Sequence, residues 1–144
     1  MAIQNIFVVG AGLMGSGIAQ TAMTSGYHVI LNDQRQETLE RAQMGIESRL
    51  KHMVEKGTMS EEEFQDCMGR LKIDTRLSAA READLVVEAI FENLEAKQAV
   101  FRQLEEICPD HTIFASNTSS ISLTALAAAT KRPSRVVGMH FFSP

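Results

Sequence analysis

The sequence has little of what would place it outside an ordinary cell interior. It holds only two cysteines, Cys67 and Cys108, with no CxxC pair and no Cys/His cluster. This excludes a disulfide framework and a cysteine-based zinc site, and leaves two reduced thiols. No apolar run approaches the roughly 18 residues that a membrane helix needs. The N-terminal MAIQNIFVVG has an apolar centre, but no basic residue precedes it and glycine soon follows, so it does not read as a signal peptide. The net charge of −4 comes from interspersed residues of both signs, which speaks against nucleic acid as a partner. Repeats, low-complexity tracts and linkers are absent. What remains is one domain of 144 residues, 44% hydrophobic, large enough for a sizeable core. The expected compartment is the cytoplasm; a mitochondrial matrix protein without its targeting peptide is the alternative.

Hydrophobic periodicity supplies the architecture. Residues 3–9 are short, apolar and β-branched, as in a buried strand. Residues 13–25 carry apolar side chains at helical spacing, with Gly26 as the stop. A second strand over 27–32 follows. Leu39, Ala42, Ile46, Leu50, Met53 and Val54 line one face of a long helix that ends at Gly57. Ser60 and Glu63 form a capping box that starts another helix, giving a helical hairpin. Further strands are expected at 71–74, 84–89, 112–115 and 135–142. Helices are expected from Asn93 to about Ile107, stopped by Pro109, and at 122–129. Strands alternating with helices predict an α/β, Rossmann-type, doubly wound and mainly parallel sheet with the hairpin inserted.

The chemistry begins at FVVGAGLMGSG. Gly10-Ala11-Gly12-Leu13-Met14-Gly15 fits GxGxxG, follows a strand and opens a helix. Asp33 lies 21 residues beyond Gly12, at the end of the next strand. In that setting the pattern is a dinucleotide fingerprint. Gly10 permits the tight turn, and Gly12 lets the backbone approach a pyrophosphate at the helix N-terminus. Gly15 lets the helix close on the strand. A carboxylate at Asp33 accepts from ribose hydroxyls and repels a 2′-phosphate, so NAD is expected rather than NADP, with Arg35 nearby as the one opposing feature.

Three more stretches fall at predicted strand ends: VVEAIFENLEAK (86–97), ASNTSSIS (115–122) and HFFSP (140–144). Together with the glycine turn and Asp33 they resemble the NAD-binding domain of the 3-hydroxyacyl-CoA dehydrogenases, most of all their bacterial 3-hydroxybutyryl-CoA branch. The resemblance covers essentially the whole chain, the hairpin included. It implies reversible oxidation of an L-3-hydroxyacyl-CoA to the 3-ketoacyl-CoA, with hydride passing to NAD. His140 matches the family's catalytic histidine, and Ser119 the serine that hydrogen-bonds the substrate oxygen beside the nicotinamide. Glu92, Lys97 and Asn117 match positions on the cofactor's ribose and nicotinamide side. Lys56 matches a lysine that contacts CoA, while Arg49 stands where some relatives carry a CoA-contacting serine.

These roles suit the side chains. Histidine can take a proton in one direction and return it in the other. A serine hydroxyl can donate to an oxygen on which negative charge develops. A hairpin bearing Arg41, Arg49, Lys51 and Lys56 suits an anionic CoA tail. His28, His52 and His111 match no catalytic position and are assigned to structure.

The family also carries a glutamate about a dozen residues after the histidine, and an asparagine in a helical C-terminal domain. This sequence stops four residues after His140. It is therefore expected to be the cofactor-binding part of a longer homo-oligomeric enzyme, inactive alone, with Phe141 and Phe142 left as an apolar patch. The alternatives are an NAD(H)-binding module without turnover and a dehydrogenase of a hydroxy acid that carries no CoA.

Overall fold

The computed structural model describes residues 2–117 and 120–139. His140 to Pro144, Thr118 and Ser119 lie outside the described residues. So do the expectations placed on them, namely the roles of His140 and Ser119, the apolar patch at Phe141 and Phe142, and the end of the last strand.

Six strands form one sheet: β1 (Asn5–Val9), β2 (His28–Asn32), β3 (Leu71–Asp74), β4 (Leu85–Glu88), β5 (Ile113–Ser116) and β6 (Val136–Gly138). Their order is β3-β2-β1-β4-β5-β6, and every pairing is parallel. This is the doubly wound arrangement, with β1 at the centre and the winding reversing between β1 and β4. The expected "mainly parallel" sheet is thus wholly parallel among the described residues.

Strand side chains alternate between the two faces. Ile6 and Val8 join Val29, Leu31 and Val87 on one face, covered by α1 (Leu13–Thr24), α2 (Gln36–Glu55) and α3 (Glu61–Gly69). The covering stripe is Ile18, Ala19, Ala22 and Met23 from α1, Leu39, Ile46 and Leu50 from α2, and Phe64 and Cys67 from α3. Phe7 and Val9 join Val86 and Phe114 on the other face, covered by Phe101 and Leu104 of α4 (Leu94–Ile107) and Leu126 of α5 (Ser120–Ala128). Phe101 and Phe114 rings meet at 5.3 Å between centroids.

The hairpin starts and stops where its chemistry directs. Gly57 takes φ +78° after α2, a left-handed conformation that glycine adopts without strain. Ser60 Oγ accepts from the Glu63 amide at 3.0 Å, and Glu63 Oε1 accepts from the Ser60 amide at 3.3 Å. Asn93 Oδ1 caps α4 by accepting from the Ala96 amide at 3.0 Å. Both cysteines are buried and unpaired in a disulfide. Burial pushes the Cys108 thiol up to about 11 against the opposing charge of Arg132, which makes it unreactive.

Most strand boundaries shift by one or two residues from the sequence expectation, and three other differences stand out. The last strand, Val136–Gly138, starts at Val136 because Pro133–Arg135 form a 3-10 turn. A second 3-10 turn, Leu77–Glu82, connects β3 to β4 where no element was expected. The helix expected at 122–129 begins at Ser120.

Asp84 bolts the starting ends of the three central strands together. Its Oδ2 accepts from the Gln4 and Asn5 amides at 2.9 Å, and its Oδ1 lies 3.0 Å from His111 Nε2. Burial alone would raise its pKa. The two amides and the His111 ring outweigh burial and hold the carboxyl below its ordinary value. A depressed folded pKa stabilises the fold above the ordinary carboxylate value of about 4, and that stabilisation fades as the pH falls through the folded value. Asp84→Asn is therefore expected to lower stability to urea at pH 7, with the deficit shrinking as the pH falls through the folded value. An equal deficit at pH 2.5 and pH 7 would contradict this.

Candidate functional site

The β1–α1 turn is shaped by what it has no room for. Gly10 takes φ +103°, and a Cβ there would sit 2.6 Å from the Ala89 carbonyl oxygen. A Cβ on Gly15 would land on the Gly10 carbonyl oxygen. These two glycines let α1 close against β1 and β4. Gly12 differs, because a Cβ there would meet no atom within 4 Å. Protein packing does not require that glycine, so its open side is space for a ligand to reach the backbone. Gly17, one turn into α1, also faces open space, and nothing in the structure explains it.

Gly12 is the N-cap of α1, where no side chain caps the helix and the first turn holds no acidic residue. The first-turn amides and the positive end of the helix dipole are thus left for an anion. Leu13 is 80% exposed beside them and Met14 is half-buried.

Asp33 stands just past β2. Its Oδ2 accepts from the Ala11 amide at 3.0 Å, inside the glycine turn, and its Oδ1 accepts from the Arg35 amide at 3.2 Å. The side chain expected at an adenosine ribose therefore also braces the turn. It remains partly exposed, and a carboxylate has acceptor capacity beyond two hydrogen bonds.

Across the β1–β4 boundary, Glu92 and Lys97 are brought together, with Lys97 Nζ 2.6 Å from Glu92 Oε1. Lys97 is 2% exposed and also lies 3.2 Å from Glu88 Oε1. Glu88, last in β4, is wholly buried; it accepts from Ser116 Oγ at 2.5 Å and from the Ile90 amide at 2.8 Å. Glu88 and Ser116 were not singled out from the sequence. The available signal was the spacing of Lys97 with Phe101 and Leu104, which puts a lysine on the apolar stripe of α4. A lysine there needs a buried anion. Asn117 follows β5 at the same sheet edge, half-buried.

On the hairpin side, Arg49 Nε donates to Gln20 Oε1 at 2.6 Å, and Arg49 reaches Ser16 Oγ at 3.3 Å. This places one of the expected CoA-facing cations on the first turns of α1. Lys51 pairs with Glu47 at 3.2 Å, while Arg41 and Lys56 are exposed. A separate cleft of about 280 Å³, with Phe7, Ile30, Lys72 and Arg81 in its lining, opens from the starting ends of β1, β2 and β3, away from the glycine turn.

Among the described residues no group of three or more His, Cys, Asp or Glu side chains could hold a metal, and no helix is long and apolar enough to cross a membrane. Glycine turn, acidic strand end and the reversal of strand order beside them together define a dinucleotide-binding α/β domain.

Comparison with known proteins narrows the class. The family described as "3-hydroxyacyl-CoA dehydrogenase, NAD binding domain" matches residues 5–144, and the chain belongs to it. It is 47% identical to the "Probable 3-hydroxybutyryl-CoA dehydrogenase" of Bacillus subtilis, covering all of this chain and 50% of that protein. It is 43% identical to the rat mitochondrial hydroxyacyl-coenzyme A dehydrogenase, covering 99% of this chain and 47% of the relative. The crystal structure of 3-hydroxybutyryl-CoA dehydrogenase from Escherichia coli K12 superposes with a TM-score of 0.96 at 46% identity, covering all of this chain and 30% of that one. The chain thus spans half or less of the length of these relatives.

Two substitutions separate packing from binding. Gly15→Ala is expected to destabilise the fold, visible as a lowered melting temperature. Gly12→Ala is expected to melt like the wild type yet to lose at least about tenfold in affinity for NADH, measured by fluorescence titration, a factor worth about 1.4 kcal/mol. Unchanged NADH affinity in Gly12→Ala would contradict a ligand at that face.

Proposed function

We propose that this chain is the NAD-holding part of a dehydrogenase that interconverts L-3-hydroxyacyl-CoA and 3-ketoacyl-CoA, with 3-hydroxybutyryl-CoA as the substrate, in cytoplasmic fatty-acid degradation or butanoate metabolism. The observation that carries this is the glycine at position 12, open to solvent at an uncapped helix start in a turn whose Ala11 amide is held by Asp33. Family membership supports NAD as the dinucleotide and 3-hydroxyacyl-CoA oxidation as the reaction of the whole protein.

The residues present fit NAD. Gly10, Gly12, Leu13, Met14 and Gly15 form the cradle for the diphosphate, with backbone amides as donors. Asp33 accepts from the adenosine ribose, and its charge disfavours a 2′-phosphate. Glu92, Lys97 and Asn117 line the edge toward the second ribose and the nicotinamide. NAD supplies the hydride acceptor when bound. Ser119 then donates to the substrate oxygen and holds it beside the nicotinamide. A ring nitrogen of His140 takes the hydroxyl proton as the carbon is oxidised and returns it in reduction. Arg41, Arg49 and Lys56 face the anionic CoA moiety, an acyl-CoA being the partner.

Because the relatives are longer, turnover is proposed for the whole protein. A helical second domain would supply the acyl pocket and the subunit contacts of a homo-oligomer. This chain alone would hold NAD(H) with negligible turnover.

NADH is expected to bind the chain and NADPH to bind much more weakly; equal affinities in a fluorescence titration would remove the role given to Asp33. In the full-length protein, His140→Ala is expected to lower turnover on acetoacetyl-CoA by about 10²-fold or more, the usual scale of general acid–base catalysis. Near-normal turnover would assign the proton to another group.

A further inference from the structure

Glu88 is a carboxylate with no exposure to water, and such a group persists as an anion only when paired and hydrogen-bonded. Its donors come from three places in the chain. Ser116 Oγ reaches Oε1 at 2.5 Å from the adjoining position of β5, and the Ile90 amide reaches Oε2 at 2.8 Å. Lys97 Nζ lies 3.2 Å from Oε1, out of the first turns of α4. Beyond Lys97 stands Glu92, 2.6 Å away and with its side chain 71% exposed. Ser116, Glu88, Lys97 and Glu92 therefore form a relay from the sheet interior to solvent, at the crevice where the strand order reverses.

A lysine ammonium on its four-carbon stem is a mobile point charge. Here the stem lies on the apolar stripe with Phe101 and Leu104, and the head is held between an inner and an outer carboxylate. Glu88 has its oxygens taken up by Ser116, the Ile90 amide and Lys97, so it acts on a ligand only through Lys97. Two of the three ammonium hydrogens have these carboxylates as partners, which leaves a buried Lys97 with one donor to spare beside the exposed Glu92.

We propose that Glu88, seated by Ser116 and the Ile90 amide, is a positioning residue that holds the Lys97 ammonium at the crevice for the ribose hydroxyls of the nicotinamide half. This rests on the dinucleotide reading above. Glu88 sets affinity for one half of the cofactor through Lys97, while the glycine turn and Asp33 set affinity for the other half.

Titrating the intact chain with ADP and with NADH tests both levels separately. If the wild type binds neither, the dinucleotide reading itself fails. If it binds both, Glu88→Gln, which keeps shape and removes charge, is expected to weaken NADH by about tenfold, the scale of a charge-assisted hydrogen bond, and to leave ADP unchanged. In a Lys97→Met background the same substitution is expected to cost NADH affinity nothing further. Should Glu88→Gln fail to fold, Ser116→Ala takes its place, with an expected NADH loss of about threefold and normal ADP binding. Equal loss of both ligands, undiminished NADH affinity, or additive losses in the double variant would each overturn the role given to Glu88.

Discussion

Gly15 presses against the Gly10 carbonyl with no space for a side-chain carbon between them, and Gly10 in turn faces the Ala89 carbonyl with too little room for one. The central strand, the first helix and the loop after β4 meet at this point. Because they meet so closely, the N-terminus of α1 lies at the edge of the sheet. Asp33 reaches the Ala11 amide from just past β2, and Glu88 at the end of β4 and Glu92 in the loop after it come alongside. A bulkier residue at either glycine would push α1 off the strand and separate the two sides of the crevice. The open face of Gly12 is useful only because its two neighbours in the motif are so tightly packed.

Above this contact, the two halves of the site are built differently. On the β2 side the groups are partly exposed and short-range: a turn, a carboxylate two amides wide, an uncapped helix. On the β4 side a buried carboxylate fixes a buried ammonium. Exposed pairs such as Lys51 with Glu47 contribute little to stability. The Glu88–Lys97 pair is different, because removing Lys97 leaves the buried Glu88 carboxylate with neither water nor a cation beside it. The site thus has one side that can adapt to a ligand and one that arrives set.

Much of this was legible in the sequence where the chemistry is local. The Ser60–Glu63 box, the Asn93 cap, the Gly57 stop and the glycine turn each depend on residues within a few positions, and each is found as read. The parallel, doubly wound sheet follows from the alternation of strands and helices. What escaped was nonlocal. Glu88 sits inside an apolar strand, and its meaning appears only when Ser116, 28 positions away, is placed beside it. Likewise the brace from Asp33 to Ala11 spans 22 positions. The 3-10 turn at Leu77–Glu82 escaped because six residues are too few to show a helical period. Ser119 and His140 rest on the family resemblance alone, since both lie outside the described residues.

The central place of β1 has a consequence for how the chain comes together during synthesis. β1 finds its first neighbour, β2, within about 30 residues, but its second, β4, runs only from Leu85 to Glu88. Until those residues emerge from the ribosome, one edge of the innermost strand is unpaired and its apolar side chains lack half their cover. Closing so large a loop costs entropy before any contact repays it, which makes parallel sheets slow to form. Nascent chains in which β4 has not yet emerged carry this unpaired edge, and they are the ones that chaperones would have most reason to hold.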